Sequence, residues 1–162
     1  VFQGFIRRQF TEHFTEALPV YELGLAAGTF GESKAPEPVG WVKVRPTRPV
    51  ERTMFVAQVT GQSMEPKIPN GSWVLFRYFE TGSTPSATTL DGRRVVVQLR
   101  DATDPETGGR YTLKRWKVSR LRADGGVEQI ELHPDNSGFK AKRYTAADGD
   151  IRVVAEFIEV VG

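Results

Sequence analysis

From Phe5 to Leu18, apolar Ile6, Phe10, Phe14 and Leu18 recur every four residues, with Arg7, Arg8, Glu12 and Glu16 between them. That spacing predicts one amphipathic helix, ended by Pro19. Beyond it the chain reads as extended runs. Val20–Leu25 is a short one, closing on the small residues Ala26, Ala27 and Gly28. Met54–Thr60, Ser72–Phe79, Arg93–Arg100, Arg110–Val118, Val127–His133 and Ile151–Val161 are rich in β-branched and aromatic residues. Turn chemistry separates them, as at Pro69-Asn70-Gly71, Asp91-Gly92, Gly108-Gly109, Asp124-Gly125-Gly126 and Asp148-Gly149. Gly31–Pro38 reads as a loop, and the polar stretches Thr81–Thr89 and Thr103–Gly109 as hairpin tips or surface insertions. There is no internal repeat. Six such runs without helical periods between them predict a mostly-β domain, a coiled, barrel-like antiparallel fold behind one N-terminal helix. The last run is apolar on both faces through Val153, Val154, Phe157, Ile158, Val160 and Val161, which suits a buried or intersubunit position.

Composition narrows the functions available. A length of 162 residues leaves room for one domain with a real core, or one domain and a short appendage. The helix and linker of residues 1–18 are assigned to a part that continues upstream, and residues 19–162 to the domain. The formal net charge of +2 is close to balance and carries no nucleic-acid-binding signature. Zero cysteines exclude a disulfide framework, a thiolate metal site and a cysteine nucleophile. The only histidines are His13 and His133, which disfavours a histidine-rich metal centre, and no cofactor is expected. No apolar run is long enough to cross a bilayer and no signal peptide opens the chain, so the expected location is cytoplasmic. Because it opens on Val1, the chain is read as an excised or processed part of something longer.

The chemistry concentrates in Gly61-Gln62-Ser63-Met64-Glu65-Pro66, which follows a predicted strand and precedes the turn at Pro69-Asn70-Gly71. Glycine before a serine lets the backbone turn sharply and expose the hydroxyl. A serine needs a base within hydrogen-bond reach, and two histidines leave few members for a Ser–His–Asp triad. Lysine can serve if burial makes its charge costly. Lys114 is the candidate: strand alternation puts Thr112, Lys114 and Trp116 on one face, beside a large aromatic able to desolvate the amine. The plainer readings are a turn serine at Ser63 and a surface lysine at Lys114, with Arg115 the buried partner of some acid. Lys140, Lys142 and Arg143 read as a solvated basic patch, Asp135-Asn136-Ser137 as a turn, and Trp41, Trp73 and Trp116 as core or cleft wall.

The Ser63-Met64-Glu65-Pro66 segment, the later Lys114-Arg115, and His133-Pro134-Asp135-Asn136-Ser137-Gly138-Phe139-Lys140 together resemble the LexA/UmuD family of self-cleaving serine–lysine peptidases. The resemblance runs from about Val20 to Val161 and implies a LexA C-terminal-domain type of fold with its active site in a cleft. It implies Ser63 as nucleophile, Lys114 as base, and backbone N–H groups around Gln62 and Ser63 for the oxyanion. Family members that cut themselves carry a small-residue scissile bond, typically Ala-Gly, ahead of the serine. Here Leu25-Ala26-Ala27-Gly28 stands in that place, with Ala27 thirty-six positions before Ser63. Small side chains fit a narrow cleft, and Tyr21, Leu23 and Leu25 alternate as in a docking strand, although such residues also suit an ordinary loop start. The spacing of fifty-one residues from Ser63 to Lys114 exceeds that of compact members, which the two polar insertions accommodate.

The implied parents are DNA-damage-responsive (SOS) repressors or mutagenesis proteins, working as homodimers and often triggered by a RecA filament. The substrate is the chain's own cleavage loop. No helix-turn-helix is present, so a nucleic-acid-binding module is expected upstream and no such site in this chain. Two alternatives stay open: a non-catalytic dimerisation domain of a phage-type repressor, and a processing peptidase of the signal-peptidase kind that acts on another protein.

Overall fold

The computed structural model describes residues 2–6, 17–29, 36–44, 48–100, 102–106, 108–146 and 149–162. Ten strands and one helix are found there. They are β1 (Phe2–Ile6), β2 (Leu18–Val20), α1 (Leu23–Thr29), β3 (Gly40–Val44), β4 (Met54–Gln58), β5 (Trp73–Tyr78), β6 (Arg94–Leu99), β7 (Tyr111–Leu121), β8 (Val127–His133), β9 (Lys142–Thr145) and β10 (Ile151–Val160). All six strand runs read from residue 54 onward are present. The strands form a single sheet in the order β1-β3-β2-β4-β5-β10-β6-β7-β8-β9.

Two expectations are corrected. The sheet is open, with β1 and β9 at its edges, and it is mixed: Val20 of β2 pairs in parallel with Val56 of β4 while the other ladders are antiparallel. It is therefore not a closed barrel. Nor do the ends of the expected N-terminal helix form one. Residues 5 and 6 lie in β1 and Leu18 lies in β2, flanking β3 on its two sides, while Phe10 and Phe14 fall outside the described residues. A spacing of four residues is also a multiple of two, so residues so spaced share one face of a strand as readily as one face of a helix. Pairing with both edges of β3, which is a long-range event, decides between them.

The C-terminal run is apolar on both faces because it is interior to the sheet. β10 hydrogen-bonds to β5 through Ala155↔Tyr78 and Phe157↔Phe76, and to β6 through Val153↔Val97 and Glu156↔Val95. Its ladder is broken on each side, between Phe157 and Glu159 and between Val153 and Ala155, irregularities of the kind that bend a strand. Glu156, buried on this strand, is held by ion pairs with Arg77 and Arg93.

Alternation along β6 divides the core. Val96 faces a cluster with Phe55, Phe76, Met64, Ile68 and Leu113, whereas Val95, Val97 and Leu99 face Trp116, Ile130 and Leu132. A third cluster of Leu18, Val20, Val42, Met54, Val56 and Leu75 lies under the N-terminal strands. Trp116 is core, its indole N–H donating to the Ala87 carbonyl at 3.0 Å. The face of β7 that carries Thr112, Lys114 and Trp116 is thus buried, as is Leu113 on the opposite face. No helix among the described residues is long and apolar enough to cross a membrane.

Phe55 is fully buried between Phe76 and Tyr21, with ring centroids 5.4 and 5.3 Å away. Phe55→Ala should cost about 3–5 kcal/mol of stability, read as a lower denaturant midpoint with an unchanged slope.

Candidate active site

The loop from Val59 to Ser72 joins β4 to β5 and is pinched at its neck, where Val59 N–H donates to the Ser72 carbonyl at 2.9 Å and Gly71 N–H to the Val59 carbonyl at 2.8 Å. Inside the neck Gly61 has φ +104°, a conformation that a side chain would strain, and its N–H donates to the Asn70 side chain at 2.9 Å. Met64 and Ile68 then plug the loop into the core, and the Ile68 N–H donates to the Met64 carbonyl at 2.8 Å. These anchors leave Ser63 little freedom, and it is only 5% exposed.

The turn after β8 grips the same loop from outside. Asn136 N–H donates to the Ser63 carbonyl at 2.9 Å, and its side-chain amide donates to the Gln62 carbonyl at 3.0 Å. Asn136 also accepts the Gly138 N–H at 2.9 Å, the local bond expected of such a turn. Its grip on the serine loop was not legible in the sequence, because nothing local links residues seventy-four positions apart. Asp135 anchors the turn to β6 and β7 through Arg94 at 2.5 Å and Arg115 at 3.5 Å. Arg115 does pair with an acid, but with 42% of its side chain exposed it is not the buried partner of the plainer reading; Lys114, at 15%, is the more buried cation.

Lys114 reaches Ser63 from β7. Its Nζ lies 2.9 Å from Ser63 Oγ, 2.9 Å from Thr112 Oγ1 and 3.2 Å from the Leu113 carbonyl oxygen. Asp104 Oδ2 stands 3.7 Å away. Burial lowers Lys114 below the ordinary lysine value of 10.5; Asp104 and Glu106 pull it back up, and Lys142 pushes it down. The stretch Thr103–Gly109, expected as a surface insertion, instead brings Asp104 and Glu106 over the pair. It buries Asp104 and brings the Glu106 carboxylate to the Gln62 N–H, which donates to it at 2.7 Å. One of the two expected oxyanion donors is thus occupied by a carboxylate.

Ser63 borders two depressions. The larger, of about 490 Å³, is walled by Leu99, Leu132, Phe139 and Tyr144, with Lys140 and Lys142 along it. Those two lysines line the cleft and are not only solvated surface. The smaller, of about 350 Å³, has Leu23, Val59, Met64 and Leu113 in its wall. Leu23 opens α1, which replaces the later part of the extended run expected at Val20–Leu25, while Val20 itself ends β2. Glu22 caps this helix by accepting the Gly24 N–H at 3.1 Å, and Leu23, Ala26 and Ala27 form an apolar face packed in the core beside Met64. The Ala27–Gly28 bond therefore lies within a helix, with Ala27 1% exposed and open space around the Cα of Gly28. Seven residues are too few for a helical period to stand out from strand alternation, which is why this helix was missed.

A mostly-β sheet with a buried serine–lysine contact at one cleft defines a class, and comparison with protein families names it. The chain belongs to the peptidase S24-like family, whose model matches residues 19–158. No individual curated protein matches the chain.

The lowered value at Lys114 has a signed consequence for stability. Between its folded-state value and 10.5 the unfolded chain holds the proton more tightly, so this residue's contribution to stability rises with pH across that window. The melting temperature of the native chain minus that of Lys114→Met should therefore climb from neutral to alkaline pH. A flat or falling difference would contradict a buried, depressed amine.

Proposed function

We propose that this domain is a self-cleaving serine endopeptidase of a regulatory protein, cutting its own Ala27–Gly28 bond with Ser63 as nucleophile and Lys114 as base. The observation that carries this reading is the 2.9 Å approach of Lys114 Nζ to Ser63 Oγ in a site that lowers the lysine. Neutral Lys114 takes the Ser63 proton as Oγ attacks the Ala27 carbonyl carbon. The N–H groups of Gln62 and Ser63 receive the oxyanion. The Gly28 amine departs with the proton from Lys114, and water hydrolyses the acyl-enzyme. Membership of the peptidase S24-like family supports the peptidase chemistry. By resemblance, the parent is a DNA-damage-responsive repressor or mutagenesis protein in the cytoplasm, acting as a homodimer and released by a RecA filament.

Two contacts oppose this reaction. A peptide bond inside a helix cannot meet the nucleophile until the helix unwinds, and taking Leu23, Ala26 and Ala27 out of the core costs on the order of 3 kcal/mol. That alone holds the docked population near about one molecule in a hundred, so a trigger needs only to favour docking. The second contact is Glu106 on the Gln62 N–H, which must yield to the carbonyl oxygen of the substrate.

The packing of α1 favours a second reading, in which the cleft beside Ser63 takes an exposed segment from another chain. The two readings separate on mixing Ser63→Ala chain with active chain: cleavage of the inactive partner, at a rate that rises with concentration, marks action in trans.

Incubating the full chain from pH 7 to 10.5 should give cleavage that accelerates with pH, as more Lys114 is neutral. Mass spectrometry should find a new N-terminus at Gly28, and Ser63→Ala and Lys114→Ala should each be inert. A cut elsewhere, or a rate that falls with pH, would sink the assignment. Glu106→Ala frees the Gln62 N–H and removes a charge that holds Lys114 protonated, so it should raise the rate at pH 7 by roughly tenfold. An unchanged rate would mean that Glu106 does not gate the site.

A further inference from the structure

The two groups behind Lys114 form a chain whose hydrogen-bond directions can be assigned. Asp104 is buried, and its Oδ2 lies 2.5 Å from Thr112 Oγ1. A carboxylate only accepts, so the single hydroxyl proton of Thr112 is committed to Asp104. Toward Lys114, 2.9 Å away, Thr112 can then only accept. The Leu113 carbonyl, at 3.2 Å, is likewise only an acceptor. A neutral amine has two N–H bonds and one lone pair. With the N–H bonds taken by Thr112 and Leu113, the lone pair is left for the third neighbour, the Ser63 hydroxyl at 2.9 Å.

We propose that Asp104 is a positioning residue for the Ser63–Lys114 pair, acting through the Thr112 hydroxyl to turn the lysine lone pair toward the serine proton. This rests on the peptidase reading above. Asp104 is itself held in place: Oδ1 accepts the Glu106 N–H at 2.8 Å, its own N–H donates to the Gly109 carbonyl at 2.8 Å, and its carbonyl accepts the Gly108 N–H at 2.8 Å. Gly108, with φ +67°, supplies the backbone conformation that this turn requires. The proton balance is simple. Ser63 Oγ gives its proton to Lys114 Nζ as the Oγ–carbon bond forms, and Asp104 stays ionised throughout. The new ammonium then stands 3.7 Å from a buried carboxylate, which favours it in a low-dielectric setting. The other charged groups facing Nζ are Glu106, which also favours the ammonium, and Lys142, which opposes it. Lys140 lies farther along the same cleft.

The alternative role for Asp104 is purely architectural, bracing the β6–β7 turn, and Asp104→Asn separates the two. Asparagine keeps an acceptor for the Glu106 N–H but presents an N–H to Thr112. The hydroxyl then turns its proton toward Lys114 and competes with Ser63 for the lone pair. The limiting rate of cleavage at high pH should fall by roughly 10²-fold or more. Removing the negative charge should also move the Lys114 titration to lower pH, because Asp104 acts to raise it.

That titration is read directly from the lysine Cε chemical shift in uncut Ser63→Ala chain, with Lys114→Arg to assign the signal. An Asp104→Asn midpoint equal to or above the parent's would overturn the proposal, whether or not the chain ever cleaves. If Ser63→Ala is inert but Asp104→Asn cuts with the parental rate and pH profile, the positioning role fails while the peptidase reading stands. If the parent never cuts, the peptidase reading fails and the titration still judges Asp104. Should Asp104→Asn not fold, the near-isosteric Thr112→Val carries the test: cleavage should drop and Thr112→Ser should restore it. A parental rate in Thr112→Val would overturn the proposal.

Discussion

A lysine amine held 2.9 Å from a serine hydroxyl inside a folded domain is a costly contact, and much of this structure exists to support it. Withdrawing an ammonium from water is unfavourable unless polar partners replace the lost hydration. Lys114 has Thr112, the Leu113 carbonyl and Ser63 within hydrogen-bond distance and Asp104 just beyond, so its donors are met while its charge is not fully repaid. The outcome is an amine lowered from the usual lysine range yet not stranded. Supporting contacts converge from three directions: Met64 and Ile68 below the serine loop, Asn136 outside it, and the Asp104–Glu106 turn above. Each comes from a different part of the chain, and the sheet order is what brings them together.

That order depends on β10. By inserting between β5 and β6, the C-terminal strand joins the half of the sheet that carries the serine loop to the half that carries Lys114. The two candidate residues belong to ladders that meet only through this strand. Its apolar character on both faces is therefore a requirement of the site as much as of the core.

The short helix α1 carries two demands on the same residues. Small side chains let Ala26 and Ala27 pack closely against Met64 and the sheet, and small side chains are also what a narrow cleft would accept. In the proposed self-cleavage, packing and cleavage are mutually exclusive uses of the segment, and the stability of seven helical residues in the core sets how seldom the bond is offered.

Six of the seven strands from residue 54 onward, the serine loop with its glycine and prolines, and the shared face of Thr112, Lys114 and Trp116 were legible in the sequence; the short edge strand β9, whose Lys142 and Arg143 read as a basic surface patch, was not. The legible features follow from alternation and turn chemistry, which are local. Thr112, two residues before the lysine on the same face, was open to the same reasoning as a partner of Lys114. The N-terminal strands and α1 were misread, since a four-residue spacing fits both periods and a seven-residue helix barely shows one. Asp104, Glu106 and Asn136 left no local trace. Their roles arise from polar residues brought over the cleft and from a contact seventy-four residues apart in sequence. By itself the sequence determined which residues are capable of the chemistry and which strand faces carry them. Only the tertiary structure decided that the lysine face is buried, that a carboxylate lies behind the lysine and another over the serine loop, and that the Ala27–Gly28 bond is packed away in a helix. Burial, charge proximity and hydrogen-bond direction are properties of neighbours in space, and sequence order does not specify them.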